Sequence, residues 1–84
     1  MFTGLIKDIG TIVSVKSNSE GKEFVIKAPN LYKDIQIDDS VSTNGVCLTA
    51  TEIKGEMFKI QAVHVTLEKT NIGKLKQGDK VNLE

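Results

Sequence analysis

Cys47 and Thr49 stand two residues apart in the stretch STNGVCLTATEI, Ser42 to Ile53, directly after an Asn44-Gly45 turn. A thiol is a good nucleophile only as the thiolate, and no lysine or histidine flanks Cys47 in sequence to favour that form. Cys47 therefore reads as a small buried hydrophobe, a pocket wall and not a catalyst. The Thr49 hydroxyl both donates and accepts, which suits a carbonyl or hydroxyl of a bound small molecule. His64, the only histidine, alternates with Val63 and Val65 and reads as a surface residue of a strand. Thr66 opens the segment TLEKTNIG, where it reads as a helix cap whose amide and hydroxyl can also meet a ligand oxygen. Gly4, flanked by Phe2, Leu5 and Ile6, lets a planar group approach the main chain closely. No residue in this set is assigned a catalytic role, and none forms a metal-ligand motif.

These residues need elements to position them, and the apolar pattern has period two far more often than 3.6. GTIVSVKS (Gly10 to Ser17) reads as a strand, SNSEGKE (Ser17 to Glu23) as a polar turn, and FVIKAP (Phe24 to Pro29) as the second arm of a hairpin. Asn30 is placed to cap a short turn of helix over Leu31 to Ile35. A strand, the Asn44-Gly45 turn and a further strand follow, and KGE turns the chain into a strand from Met57 to Val65. Thr66 then caps a short helix that Gly73 stops, and Gly78-Asp79 turns into a last strand. IQIDDSVS from Ile35 and LKQGDKVN from Leu75 form a faint internal echo, each an apolar residue, a turn ending in Asp and a strand with valine at the same offset. Turns that precede strands often share this pattern. The reading is all-β: one domain over 1–84, a small six-stranded antiparallel Greek-key barrel with one or two short helices.

Composition sets the outer limits. Eighty-four residues with 11 basic and 11 acidic side chains carry no field to attract phosphate backbones, which argues against nucleic acid as a partner. One cysteine allows no internal disulfide, and with neither a leader pattern nor a long apolar run the expectation is a reduced, cytoplasmic protein with no membrane span. A small core with no net charge gains from a subunit interface, so a homodimer is expected.

Four ordered motifs carry a resemblance. MFTGLI (Met1 to Ile6), NGVCLT (Asn44 to Thr49), TLEKTNIG (Thr66 to Gly73) and LKQGDKVNLE at the end resemble the N-terminal lumazine-binding domain of riboflavin synthase, along the whole chain and in order. The resemblance implies that riboflavin or 6,7-dimethyl-8-ribityllumazine is the ligand, that two lumazines are converted to riboflavin and a pyrimidinedione by moving a four-carbon unit, and that no metal or organic cofactor is needed for catalysis. It places the ring edge against Gly4, Leu5 and Ile6, against Cys47, Leu48 and Thr49, and against Gln61, Ala62, Val63, His64, Val65 and Thr66, three segments expected to converge at one barrel mouth. The family carries two such barrels in tandem with sites between unlike barrels, so a single barrel is expected to bind with little turnover. Lumazine proteins related to the synthase supply the alternative of a stand-alone flavin or lumazine carrier. The chain departs from the family at Val65, where a glutamate usually precedes the TL pair, so a carboxylate contact to the ligand is lost.

Overall fold

The computed structural model describes residues 8–84. Alternation buries Asp8, Gly10 and Ile12 along the first half of β1 (Asp8–Asn18), until a bulge between Ile12 and Ser14 resets the register against β2 (Gly21–Lys27). The hairpin turn is therefore only Ser19-Glu20, shorter than the polar composition of Ser17 to Glu23 suggests, because Asn18 closes it: its Oδ1 accepts from the amides of Glu20 (3.1 Å) and Gly21 (3.0 Å). A single 3₁₀ turn, η1 (Leu31–Asp34), precedes β3 (Ser40–Thr43), and the Asn44-Gly45 turn, with φ of 50° and 84°, leads into β4 (Val46–Lys54). β5 (Met57–Val63), α1 (His64–Lys69), a second 3₁₀ turn η2 (Asn71–Lys74) and β6 (Lys80–Leu83) complete the order.

Every strand pairs antiparallel, and the six close into a barrel in the order β1-β2-β5-β4-β3-β6. Phe24, Ile26, Phe58, Ile60, Ile12, Val81 and Leu83 fill its interior, all 1% exposed or less. Burying each such side chain contributes roughly 1.5–3 kcal/mol, which is how a chain of this length sustains a core.

The internal echo is a symmetry of the whole barrel. Asp38 donates to the Ala50 carbonyl and Ala50 to the Asp39 carbonyl; Gly78 donates to the Ile12 carbonyl and Ile12 to the Asp79 carbonyl, all at 2.8–2.9 Å. Asp39 and Asp79 each accept, through Oδ2, a 2.8 Å bond from the amide three residues earlier. The equivalence extends through the ladders: Ser40↔Thr49 to Thr43↔Val46 repeats as Lys80↔Thr11 to Leu83↔Asp8, and the bulge between Ala50 and Glu52 repeats the one between Ile12 and Ser14. The halves are β1-β2-η1-β3 and β4-β5-α1-η2-β6. Both turns need a left-handed residue, which Gly78 supplies at φ 93° without a Cβ, whereas Asp38 adopts φ 74° with one. Asp38→Gly is therefore expected to raise stability by about 0.5–1 kcal/mol, read as a higher thermal midpoint with an unchanged far-ultraviolet spectrum.

Candidate functional site

Two adjoining strands part where the predicted residues fall. The β4–β5 ladder runs from Lys54↔Met57 to Ala50↔Ile60. Beyond that pair, Val46 to Thr49 are laddered to β3, and Gln61 to Val63 to β2. Cys47, Leu48 and Thr49 thus line one flank of a seam, and Gln61, Ala62 and Val63 the other. In the equivalent seam of the first half, the β1–β2 ladder continues one pair further, to Thr11↔Lys27. Strands carry backbone donors and acceptors on both edges, so the inner edges of the parted seam present N–H and C=O groups outside any ladder among the described residues.

Side-chain placement follows from the alternation. Leu48 (5% exposed) and Ala62 (0%) point into the core and floor the seam. Cys47 and Thr49 point outward and are exposed, so the expectation of a buried Cys47 is corrected: its counterpart in the first half, Ile9, is outward too. Val63 and Val65 are exposed at 46% and 58%, apolar surface at the rim with no core contact to account for it.

The strand read as Met57 to Val65 ends at Val63, and His64 is the first residue of α1. His64 is held by the β1–β2 turn: its amide donates to the Glu20 carbonyl at 3.1 Å, and its Nε2 lies 3.3 Å from the Ser19 carbonyl. Gln61 is held by the same hairpin, its amide group exchanging bonds of 2.8 and 3.2 Å with Asn18. Thr66 lies within α1 and is not its cap; the N-cap position is Val63, which has no side-chain acceptor. The carbonyl of Thr66 instead accepts a 2.6 Å bond from the Thr70 hydroxyl, which in turn accepts from the Ile72 amide and caps η2. Gly73 does not stop α1, which ends at Lys69; it sits in η2, where a Cβ would come within 3.2 Å of the Leu67 carbonyl. Gly4, Leu5 and Ile6 lie outside the described residues.

Asp8 is the residue that sequence reading passed over. Its carboxylate is placed where η1 begins, with Oδ2 accepting from the amides of Asn30 (2.9 Å) and Leu31 (3.0 Å), and Oδ1 from Asn30 Nδ2 (3.3 Å) and its neighbour Ile9 (2.8 Å). Asn30 therefore does not cap η1 with its side chain, since a carboxylate from another strand already holds these donors. Burial pushes the Asp8 pKa up, but the bonds from Leu31, Asn30 and Ile9 more than offset this and hold it below 3.8. The only signal in the sequence was an acidic residue at an inward strand position.

No group of three or more His, Cys, Asp or Glu that could hold a metal occurs among the described residues. Two surface hollows, one bounded by Val25, Glu52, Lys54, Met57, Phe58 and Lys59 and one by residues of β3, β6 and the Asn44-Gly45 turn, contain none of the predicted contacts.

The profile of the lumazine binding domain matches residues 3–84. The chain belongs to the lumazine binding domain family. Among curated proteins, this lumazine binding domain is 37% identical over 84 residues to riboflavin synthase of Bacillus subtilis, covering 100% of the chain and 39% of that enzyme. It is 42% identical over 93 residues to riboflavin synthase of Meyerozyma guilliermondii, again covering 100% of the chain and 39% of that enzyme. Crystal structures of LumP with 6,7-dimethyl-8-(1'-D-ribityl) lumazine and with flavin mononucleotide superpose with TM-scores of 0.92, at 30% and 28% identity; each match covers at least 99% of this chain and 48% of that one. The chain thus spans about two fifths of the length of its curated relatives.

Proposed function

We propose that the chain binds 6,7-dimethyl-8-ribityllumazine or riboflavin at the β4–β5 seam, as the N-terminal barrel of a riboflavin synthase. The observation that carries this reading is the parting of the ladder beyond Ala50↔Ile60, which leaves main-chain donors and acceptors over an apolar floor of Leu48 and Ala62 at the mouth of a lumazine binding domain. A flat heterocycle with carbonyl and ring-nitrogen groups along one edge needs that combination: smooth apolar contact for its faces and a few fixed polar groups for its rim. Thr49 and Thr66 add hydroxyls at the two flanks. In the parent enzyme the reaction proceeds without metal or organic cofactor, in the cytoplasm, and two barrels meet so that each supplies one lumazine. The isolated barrel associates as a homodimer, since a small core with no net charge gains from a subunit interface.

LumP, whose crystal structures hold a ribityl lumazine or flavin mononucleotide, supports a second reading, a carrier that holds the chromophore without transforming it. Both readings predict that stoichiometric chain quenches or shifts riboflavin fluorescence; emission unchanged at high protein concentration excludes both. Formation of riboflavin from the lumazine by the longest natural form of the protein separates synthase from carrier.

A further inference from the structure

The two halves of the barrel are equivalent strand by strand, yet the β4–β5 seam parts one pair earlier than the β1–β2 seam, and among the described residues only the β1–β2 seam has a carboxylate bridging its strand to the crossover beyond. Ile26 and Asp38 are 12 residues apart, their counterparts Ile60 and Gly78 are 18 apart, and the difference equals the six residues of α1. In the first half the chain runs from β2 through Pro29 directly into η1, and Asp8 staples that crossover. The counterpart of Asp8 is Val46, fixed by the matching pairs Leu83↔Asp8 and Thr43↔Val46. The Val46 side chain has no hydrogen-bond acceptor, and the crossover facing it is longer. The extra residues contribute no fully buried side chain: none of α1 is buried, and only Leu67 leans on the core. A segment with exposed Val65 and no core of its own does not repay its ordering cost through packing.

We propose that α1, His64–Lys69, is an insertion that turns one of two equivalent seams into the ligand mouth, while a short crossover stapled by Asp8 keeps the other shut. This rests on the binding site proposed above. The barrel is then the folding unit, and α1 is a separable binding element that the ligand covers. First-half geometry shows what the second half would be without it: deleting 64–69 joins Val63 to Thr70 and Asn71, which take the places of Pro29, Asn30 and Leu31.

The test deletes residues 64–69 and adds Val46→Asp, which copies the first-half crossover and its carboxylate staple into the second. The expected variant keeps a cooperative thermal transition and a β-type far-ultraviolet spectrum, and its riboflavin affinity by fluorescence titration falls at least roughly a hundredfold. Retained affinity overturns the proposal, and so does loss of the folded state, since α1 would then belong to the folding unit. A second variant, Val65→Asn in the otherwise intact chain, is expected to leave the thermal midpoint unchanged and raise the riboflavin Kd about tenfold; a lowered midpoint with unchanged Kd contradicts the assignment. Should the parent chain itself not bind riboflavin, the proposed function fails, while the folding of the deletion variant still tests whether α1 is an insertion.

Discussion

Replacing Asp8 by alanine is expected to remove about 2–4 kcal/mol of stability, a large share of the roughly 4–12 kcal/mol that a domain of this size possesses. The residue is 8% exposed and its two oxygens accept four bonds, two of them from consecutive amides at the start of η1. Alanine leaves those donors without the acceptor that compensates their removal from water, and it unpins β1 from the crossover between β2 and β3. For a domain of 60–100 residues this corresponds to a fall in the thermal midpoint of roughly 10–30 °C. The charge itself is separable from the shape. Because the folded-state pKa of Asp8 is held below 3.8, ionisation stabilises the fold fully above the ordinary carboxylate range and ceases to do so as the pH falls through the folded-state value. Asp8→Asn should therefore be less stable than the parent at pH 7, and the gap should narrow below about pH 4. A gap independent of pH would assign Asp8 a role in shape alone.

The second large effect concerns turnover. The 84-residue chain is expected to form riboflavin from 6,7-dimethyl-8-ribityllumazine at least about a thousandfold more slowly than an intact two-barrel synthase, because proximity of two oriented substrates is the main catalytic resource in joining them. On the proposed reading, one seam holds one ring. A homodimer brings two seams together but pairs identical walls, and an isologous contact does not by itself assign one lumazine as donor and the other as acceptor of the four-carbon unit. Acid and base groups at the seam are few among the described residues: Cys47 is exposed on an outward strand position, His64 is engaged with the β1–β2 turn, and position 65, where the resemblance implies a glutamate, is a valine. Absorbance at the riboflavin maximum, with full-length synthase beside it, measures the difference. A rate near that control would show that a lone barrel suffices.

Much of the barrel was legible because its signals are local. Alternating apolar residues marked the strands, Asn44-Gly45 marked its hairpin, and the paired turns at Asp38-Asp39 and Gly78-Asp79 carried the internal symmetry in a form visible from two short stretches. The errors cluster at α1. Val63 and Val65 alternate with Ala62 and His64 as a strand would, but both valines are exposed, so the alternation there does not record burial. Thr66 and Gly73 resemble a cap and a stop, yet the chain spends Thr70 on capping η2 and Gly73 on close packing against Leu67. Asp8 was missed for a different reason: its partners are the amides of Asn30 and Leu31, more than twenty residues away, and main-chain partners leave no mark in the sequence. Cys47 was expected inside, and only the register of β4, which sends Leu48 and Ala50 inward, places it outside.

On the proposed function a lumazine ring sits in the parted β4–β5 seam and not in its stapled counterpart. Amide chemical shifts of the isotope-labelled 84-residue chain, followed during titration with 6,7-dimethyl-8-ribityllumazine, test this residue by residue. Saturable shifts are expected for Cys47 to Thr49 and Gln61 to Thr66, with Ile9 to Thr11 and Asn30 to Leu31 unmoved. Shifts confined to the Asp8 side, or none at saturating lumazine, would contradict it.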